Sequence, residues 1–95
     1  MPTIRLKPRA RTDLNGIWRY SRQRWSEEQA NDYYAALADA FETLLVDPSI
    51  GTPVDIRPGY RKLLSGSHVI YFRSIPSGIE IVRILHQAMD VRRHL

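Results

Sequence analysis

At 95 residues, with 43% hydrophobic and 25% charged side chains, the chain has the size and balance of one globular domain, and residues 1–95 are expected to form it without a second. It contains no cysteine, which excludes disulfides, thiolate metal sites, thiol nucleophiles and iron–sulfur clusters and suits a reducing cytoplasm. No stretch reaches the roughly 18 apolar residues of a membrane span, and the arginine-rich start is unlike a signal-peptide core, so a cytoplasmic, unanchored protein is expected.

The net charge of +4 is unevenly spread: residues 1–25 carry +6, residues 26–56 carry −7 with no lysine or arginine, and residues 57–95 carry +5. Two basic segments on a shared face would suit nucleic acid or an acidic protein segment. A chain this short buries only about 60 to 65% of its unfolded surface, so a partner protein is a natural source of further stability.

Thr3 to Leu6 alternates polar and apolar side chains before Pro8 and predicts a short strand. From Arg9 to Trp25, Ala10, Leu14, Ile17, Trp18, Ser21 and Trp25 recur at helical spacing. Ser26 and Gln29 have the spacing of a capping box, with Glu27 and Glu28 where a helix dipole favours anions, so a second helix is predicted there. Its buried stripe is Ala30, Tyr33, Leu37, Ala40, Phe41, Leu44 and Leu45, and Asp47-Pro48 ends it. The two helices are expected to form an antiparallel hairpin. Ile50 to Gly59 has loop composition. Three strands are predicted next, at Tyr60 to Leu64, His68 to Ile75 and Ile79 to Leu85, joined by Ser65-Gly66-Ser67 and Pro76-Ser77-Gly78. The expected class is therefore α+β in the order β-α-α-β-β-β, a helical hairpin on one face of a small antiparallel sheet, followed by a basic C-terminal tail.

Few groups suggest catalysis. His86, Asp90 and His94 would share a face only if the tail were helical, and Arg92 and Arg93 beside them disfavour a cation, so no metal or cofactor is assigned. Ser65 and Ser67 belong to a turn and lack a nucleophile elbow. A metal-free ribonuclease is the stronger enzymatic option, with Arg61, His68, Arg73, Arg83, His86, Arg92 and His94 as its possible acid–base and phosphate-stabilising groups. Unbroken strand alternation would place His68 and Arg73 on opposite faces, and Arg83 with Ile81 and Leu85. Arg83 is then either paired beneath the helices or exposed on the open face, and the open face is expected. Tyr33, Phe41 and Trp25 read as core, whereas Trp18 borders the buried stripe as interface tryptophans do.

Several segments resemble a known family. Asp13-Leu14-x-x-Ile17-Trp18-x-Tyr20, Trp25-Ser26-x-x-Gln29-Ala30, Arg57-x-Gly59-Tyr60-Arg61, Ser67 to Arg73, and the ending Arg83-Ile84-Leu85-His86-x-x-Met89-Asp90-x-x-Arg93-His94 are similar to the ParE toxins of type II toxin–antitoxin modules, within the RelE/ParE superfamily. The resemblance implies a toxin that inhibits DNA gyrase and is neutralised by a ParD-like antitoxin, which alone contacts operator DNA. The alternative is a RelE-like ribosome-dependent mRNA endonuclease. Against that branch, residues 50–55 hold no lysine, and His68, Ala88 and His94 stand near positions where it carries two catalytic arginines and a tyrosine.

No catalytic residue is assigned. Expected target contacts are the tail residues Arg92 and Arg93 and an open-face group of Arg61, His68, Arg83 and His86. Expected antitoxin contacts are Trp18, Arg22, Tyr71 and Arg73, apolar anchors flanked by cations suited to an acidic amphipathic helix.

Overall fold

Proline sets the start of the first helix. Pro8, whose missing N–H costs nothing in a first turn, opens α1 (Pro8–Arg24) directly after the strand β1 (Thr3–Leu6) in the computed structural model, which describes all 95 residues. Only Trp25 and Ser26 separate α1 from α2 (Glu27–Val46), whose first turn is capped by Ser26 Oγ accepting the Gln29 N–H at 3.0 Å. Asp47 closes α2, and Pro48 begins the short turn Pro48–Ile50.

A five-stranded sheet follows, formed with β2 (Thr52–Pro53), β3 (Tyr60–Ser65), β4 (His68–Ile75) and β5 (Gly78–His86) in the order β1-β5-β4-β3-β2. The residues expected to be plain loop thus contribute β2, a two-residue strand paired to Arg61 and Lys62. The sheet is antiparallel except at one edge, where β1 runs parallel to β5. Parallel neighbours need a long crossover, and the helical hairpin with the β2–β4 segment supplies it. Gly78 permits this docking. Its φ of +147° suits glycine, and a Cβ there would collide with the backbone N and O of Thr3.

The helices cover one face of the sheet. Ala10 and Leu14 of α1 and Leu37, Phe41 and Leu44 of α2 are buried together with Ile70, Phe72, Ile79, Ile81 and Ile84. Ile79 and Ile81 are odd-numbered and Ile84 even because Val82 and Arg83 together oppose Tyr71, a β-bulge that inverts the alternation of β5. The phase predicted for Arg83 and Ile84 is corrected accordingly. Trp25 is also corrected: it stands 59% exposed at the end of α1 instead of in the core. The tail forms a single turn at Val91–Arg93 capped by the Asp90 carboxylate, and Arg83 Nη1 ties it to β5 by donating to the His94 carbonyl at 3.2 Å. No helix is long and apolar enough to cross a membrane.

Candidate functional site

Two side chains from distant parts of the chain fix the junction of α1 and the sheet. Asp13, the sole acid among residues 1–25, accepts from Arg83 Nε at 2.8 Å, from Arg83 Nη2 at 3.0 Å and from the Ile84 N–H at 3.0 Å. The side chains of Arg83 and Asp13 are only 13% and 15% exposed. Donating to the Asp13 carboxylate raises the Arg83 pKa above its ordinary value against the opposing effect of burial. Arg83 is therefore a paired structural arginine and not an open-face contact.

Beside this junction lies a groove of about 510 Å³ between α1 and the adjoining ends of β4 and β5. Ile17, Tyr20 and Trp25 form its α1 wall, and Ile84, His86 and Met89 belong to the opposite wall. Tyr20 and Trp25, each 59% exposed, meet edge to face with centroids 6.3 Å apart, and Met89 is 43% exposed. Large apolar side chains are thus left open to water around a concave surface, which is the composition of a partner-binding site.

The groove floor is polar and pre-ordered. Tyr33 Oη accepts the Ser67 N–H at 3.0 Å and lies 2.6 Å from His68 Nδ1, with the Ser65 carbonyl farther off at 3.4 Å. A phenolic proton on the shorter of these contacts places the His68 proton on Nε2. His86 Nδ1 accepts the Ala88 N–H at 3.1 Å and therefore also keeps its proton on Nε2. The two imidazoles pack edge to face with centroids 5.4 Å apart. Burial, aided by His86 and opposed by Asp13, holds the His68 pKa below its usual 6.5 and favours the neutral ring. The floor offers imidazole N–H donors, but no lysine or arginine lines the groove to stabilise a pentavalent phosphate.

The expected open-face group does not assemble. His68 and His86 pair across β4 and β5 on the helix side, because His68 shares its face with Ile70 and Phe72 while the bulge brings Ile84 and His86 onto the face of Ile79 and Ile81. Arg61 also lies opposite Phe72, and its Nη1 donates to the Gly51 carbonyl at 2.7 Å. Arg92 and Arg93 remain exposed, the latter 3.9 Å from Asp90 in a contact worth little in water. The antitoxin group divides as well. Trp18 and Arg22 stay together, the guanidinium 5.4 Å from the ring, with Trp18 Nε1 donating to Asn31 Oδ1 at 2.9 Å on the seam between the helices. Tyr71 is only 6% exposed and cannot serve as an exposed anchor, and burial raises its phenol pKa. Arg73 is held by Glu80 at 2.8 Å.

Sequence reasoning missed Asp13, Tyr33, Tyr20 and Trp25 as site residues. Only Asp13 carried a distinct signal, as an isolated acid in a basic segment. No three His, Asp or Glu side chains gather in a metal-binding arrangement, and the non-helical tail separates His86, Asp90 and His94 from the spacing that would align them.

Comparison with known proteins agrees with this architecture. A family model described as the ParE toxin of the type II toxin–antitoxin system parDE matches residues 4–91. Toxin ParE1 of Caulobacter vibrioides is 46% identical over 96 residues, covering 100% of this chain and 99% of its own. Toxin ParE1 of Mycobacterium tuberculosis is 45% identical over 92 residues, covering 95% and 94%. A chain from the chromosomal ParDE system of P. aeruginosa superimposes with a TM-score of 0.79 at 22% identity, covering 90% of this chain and 96% of that one, a likeness of fold.

Proposed function

Because the chain belongs to the ParE toxin family of type II toxin–antitoxin systems, we propose that it arrests growth by inhibiting DNA gyrase and is silenced by a ParD-like antitoxin whose amphipathic helix fills the groove between α1 and the ends of β4 and β5. The observation that carries this reading is the groove itself, where Tyr20, Trp25 and Met89 stand exposed around an ordered Tyr33–His68–His86 floor. Apolar residues on one helix face would cover these anchors, while the imidazole N–H groups would receive a carboxylate or carbonyl from the same segment. The cations Arg19, Arg22 and Arg24 on α1 would complement acidic residues on its outer face. Arg92 and Arg93, exposed on the tail and outside the groove, are the proposed target contacts. Operator DNA would be reached through the antitoxin in the assembled module.

Supercoiling by purified gyrase in the presence of the full chain, measured beside cleavage of ribosome-bound mRNA, tests the activity. Loss of supercoiling with intact message is expected. Intact supercoiling with antitoxin-sensitive cutting of the message would replace gyrase inhibition with the endonuclease reading.

A further inference from the structure

A second concave surface lies where the start of α1 meets the tail, and its chemistry differs from that of the groove. This pocket, about 430 Å³ in volume, draws Lys7 and Arg9 from the entry to α1, Arg57 and Tyr60 from the approach to β3, Arg83 from the β5 bulge and His94 from the tail. No aspartate or glutamate side chain lines it, and the last residue of the sequence, Leu95, closes its tail side. Arg83 is already neutralised by Asp13, whereas Lys7, Arg9 and Arg57 have no acidic side chain within 4.0 Å. Gathering three unpaired cations from two segments costs Coulomb energy that a bound anion would remove.

We infer that the chain itself binds a nucleic-acid strand here, with a backbone phosphate held by Arg9, Arg57 and Lys7 and the adjoining sugar or base against Tyr60. The two guanidinium forks suit paired phosphate oxygens, and Lys7 adds a point charge. The Arg57 guanidinium carbon lies 6.0 Å from the Tyr60 ring centroid, which sets charge and an aromatic surface side by side as strand binding requires. An acidic protein helix is the less suitable occupant. Its apolar face needs exposed anchors, and none of the exposed large hydrophobic side chains lines this pocket, whereas Tyr20, Trp25 and Met89 all line the other groove. The inference concerns the phosphodiester backbone shared by DNA and RNA and does not depend on gyrase being the target.

Fluorescence anisotropy with the full chain and labelled single-stranded DNA, single-stranded RNA and duplex DNA tests it, with polyglutamate as the acidic-polypeptide probe. Arg9→Ala/Arg57→Ala should weaken binding of at least one nucleic acid by about tenfold and flatten the slope of log affinity against log salt by about 2, while circular dichroism stays unchanged. Arg11→Ala/Lys62→Ala, with the same loss of exposed charge outside the pocket, should change affinity less than about twofold. Equal weakening by both pairs would reduce the interaction to diffuse charge and overturn the inference. Pocket-dependent binding of polyglutamate without nucleic acid, or no nucleic-acid binding at low salt, would overturn it as well. The DNA and RNA arms identify which strand the pocket prefers.

Discussion

Removing Asp13 should damage the fold more than removing its partner Arg83. In Asp13→Ala, the Arg83 guanidinium, 13% exposed, keeps only the His94 carbonyl at 3.2 Å, and the Ile84 N–H loses its acceptor. Breaking a buried ion pair costs about 3 to 5 kcal/mol, and the residual solvent contact of both side chains places this pair near the lower figure. An orphaned backbone N–H adds about 1 kcal/mol or more, giving roughly 4 kcal/mol. Arg83→Ala leaves the carboxylate bonded to the Ile84 N–H and open to water, so about 2 to 3 kcal/mol is expected. Small domains have about 5 to 15 kcal/mol of stability, and each kcal/mol shifts their Tm by about 4 to 8 °C. Asp13→Ala should therefore lower Tm by roughly 15 to 30 °C, with Asp13→Asn nearly as harmful because its amide N–H₂ faces donors. Urea titration followed by circular dichroism, applied to both single variants and the double, measures the coupling. Additive losses within about 0.5 kcal/mol, or a milder effect for Asp13→Ala than for Arg83→Ala, would refute the proposed role of the junction.

Three further outcomes are expected. Because His68 has a lowered pKa in the fold, the unfolded chain binds more protons between that value and 6.5; stability should be full above pH 6.5 and fall as pH drops through this window, with His68→Gln flattening the fall in urea midpoints. Gly78→Ala should cost about 3 kcal/mol or more by forcing β1 from its parallel docking, and hydrogen exchange should show Thr3 to Leu6 losing protection; unchanged protection would contradict the steric argument. Deleting Val91 to Leu95 removes the His94 acceptor and three half-buried side chains and should cost about 1 to 2 kcal/mol while abolishing toxicity and sparing antitoxin binding; a folded, fully toxic deletion would remove Arg92 and Arg93 from target engagement.

Local punctuation made most elements legible. Ser26 capped α2, Asp47-Pro48 ended it, and Gly66 and Gly78 marked the hairpins, because each residue acts on its own stretch of backbone. The parallel pairing of β1 with β5 was not legible, since no local turn joins strands more than 70 residues apart. The bulge at Val82 mattered most for the site. A strict period of two keeps Arg83 on the Ile81 side beneath the helices and turns Ile84 away from it, whereas one inserted residue puts Ile84 in the core, brings His86 beside His68 and sets Arg83 opposite Tyr71, where it pairs with Asp13. Trp25 kept helical spacing, but it stands just past α1 as its C-cap with a non-helical backbone, which leaves the ring exposed on the groove wall as a candidate anchor.

Calorimetric titration of the cognate ParD-like antitoxin into the wild-type chain, Trp25→Ala/Met89→Glu and Arg92→Ala/Arg93→Ala tests the central claim most directly, which is that the groove and not the tail holds the antitoxin. Truncating the exposed Trp25 and placing a charge at exposed Met89 should leave the fold intact and weaken binding by about 100-fold, as loss of an aromatic anchor from an interface does, while the tail variant binds like the wild type. Unchanged affinity for the groove variant, or a loss confined to the tail variant, would contradict the account.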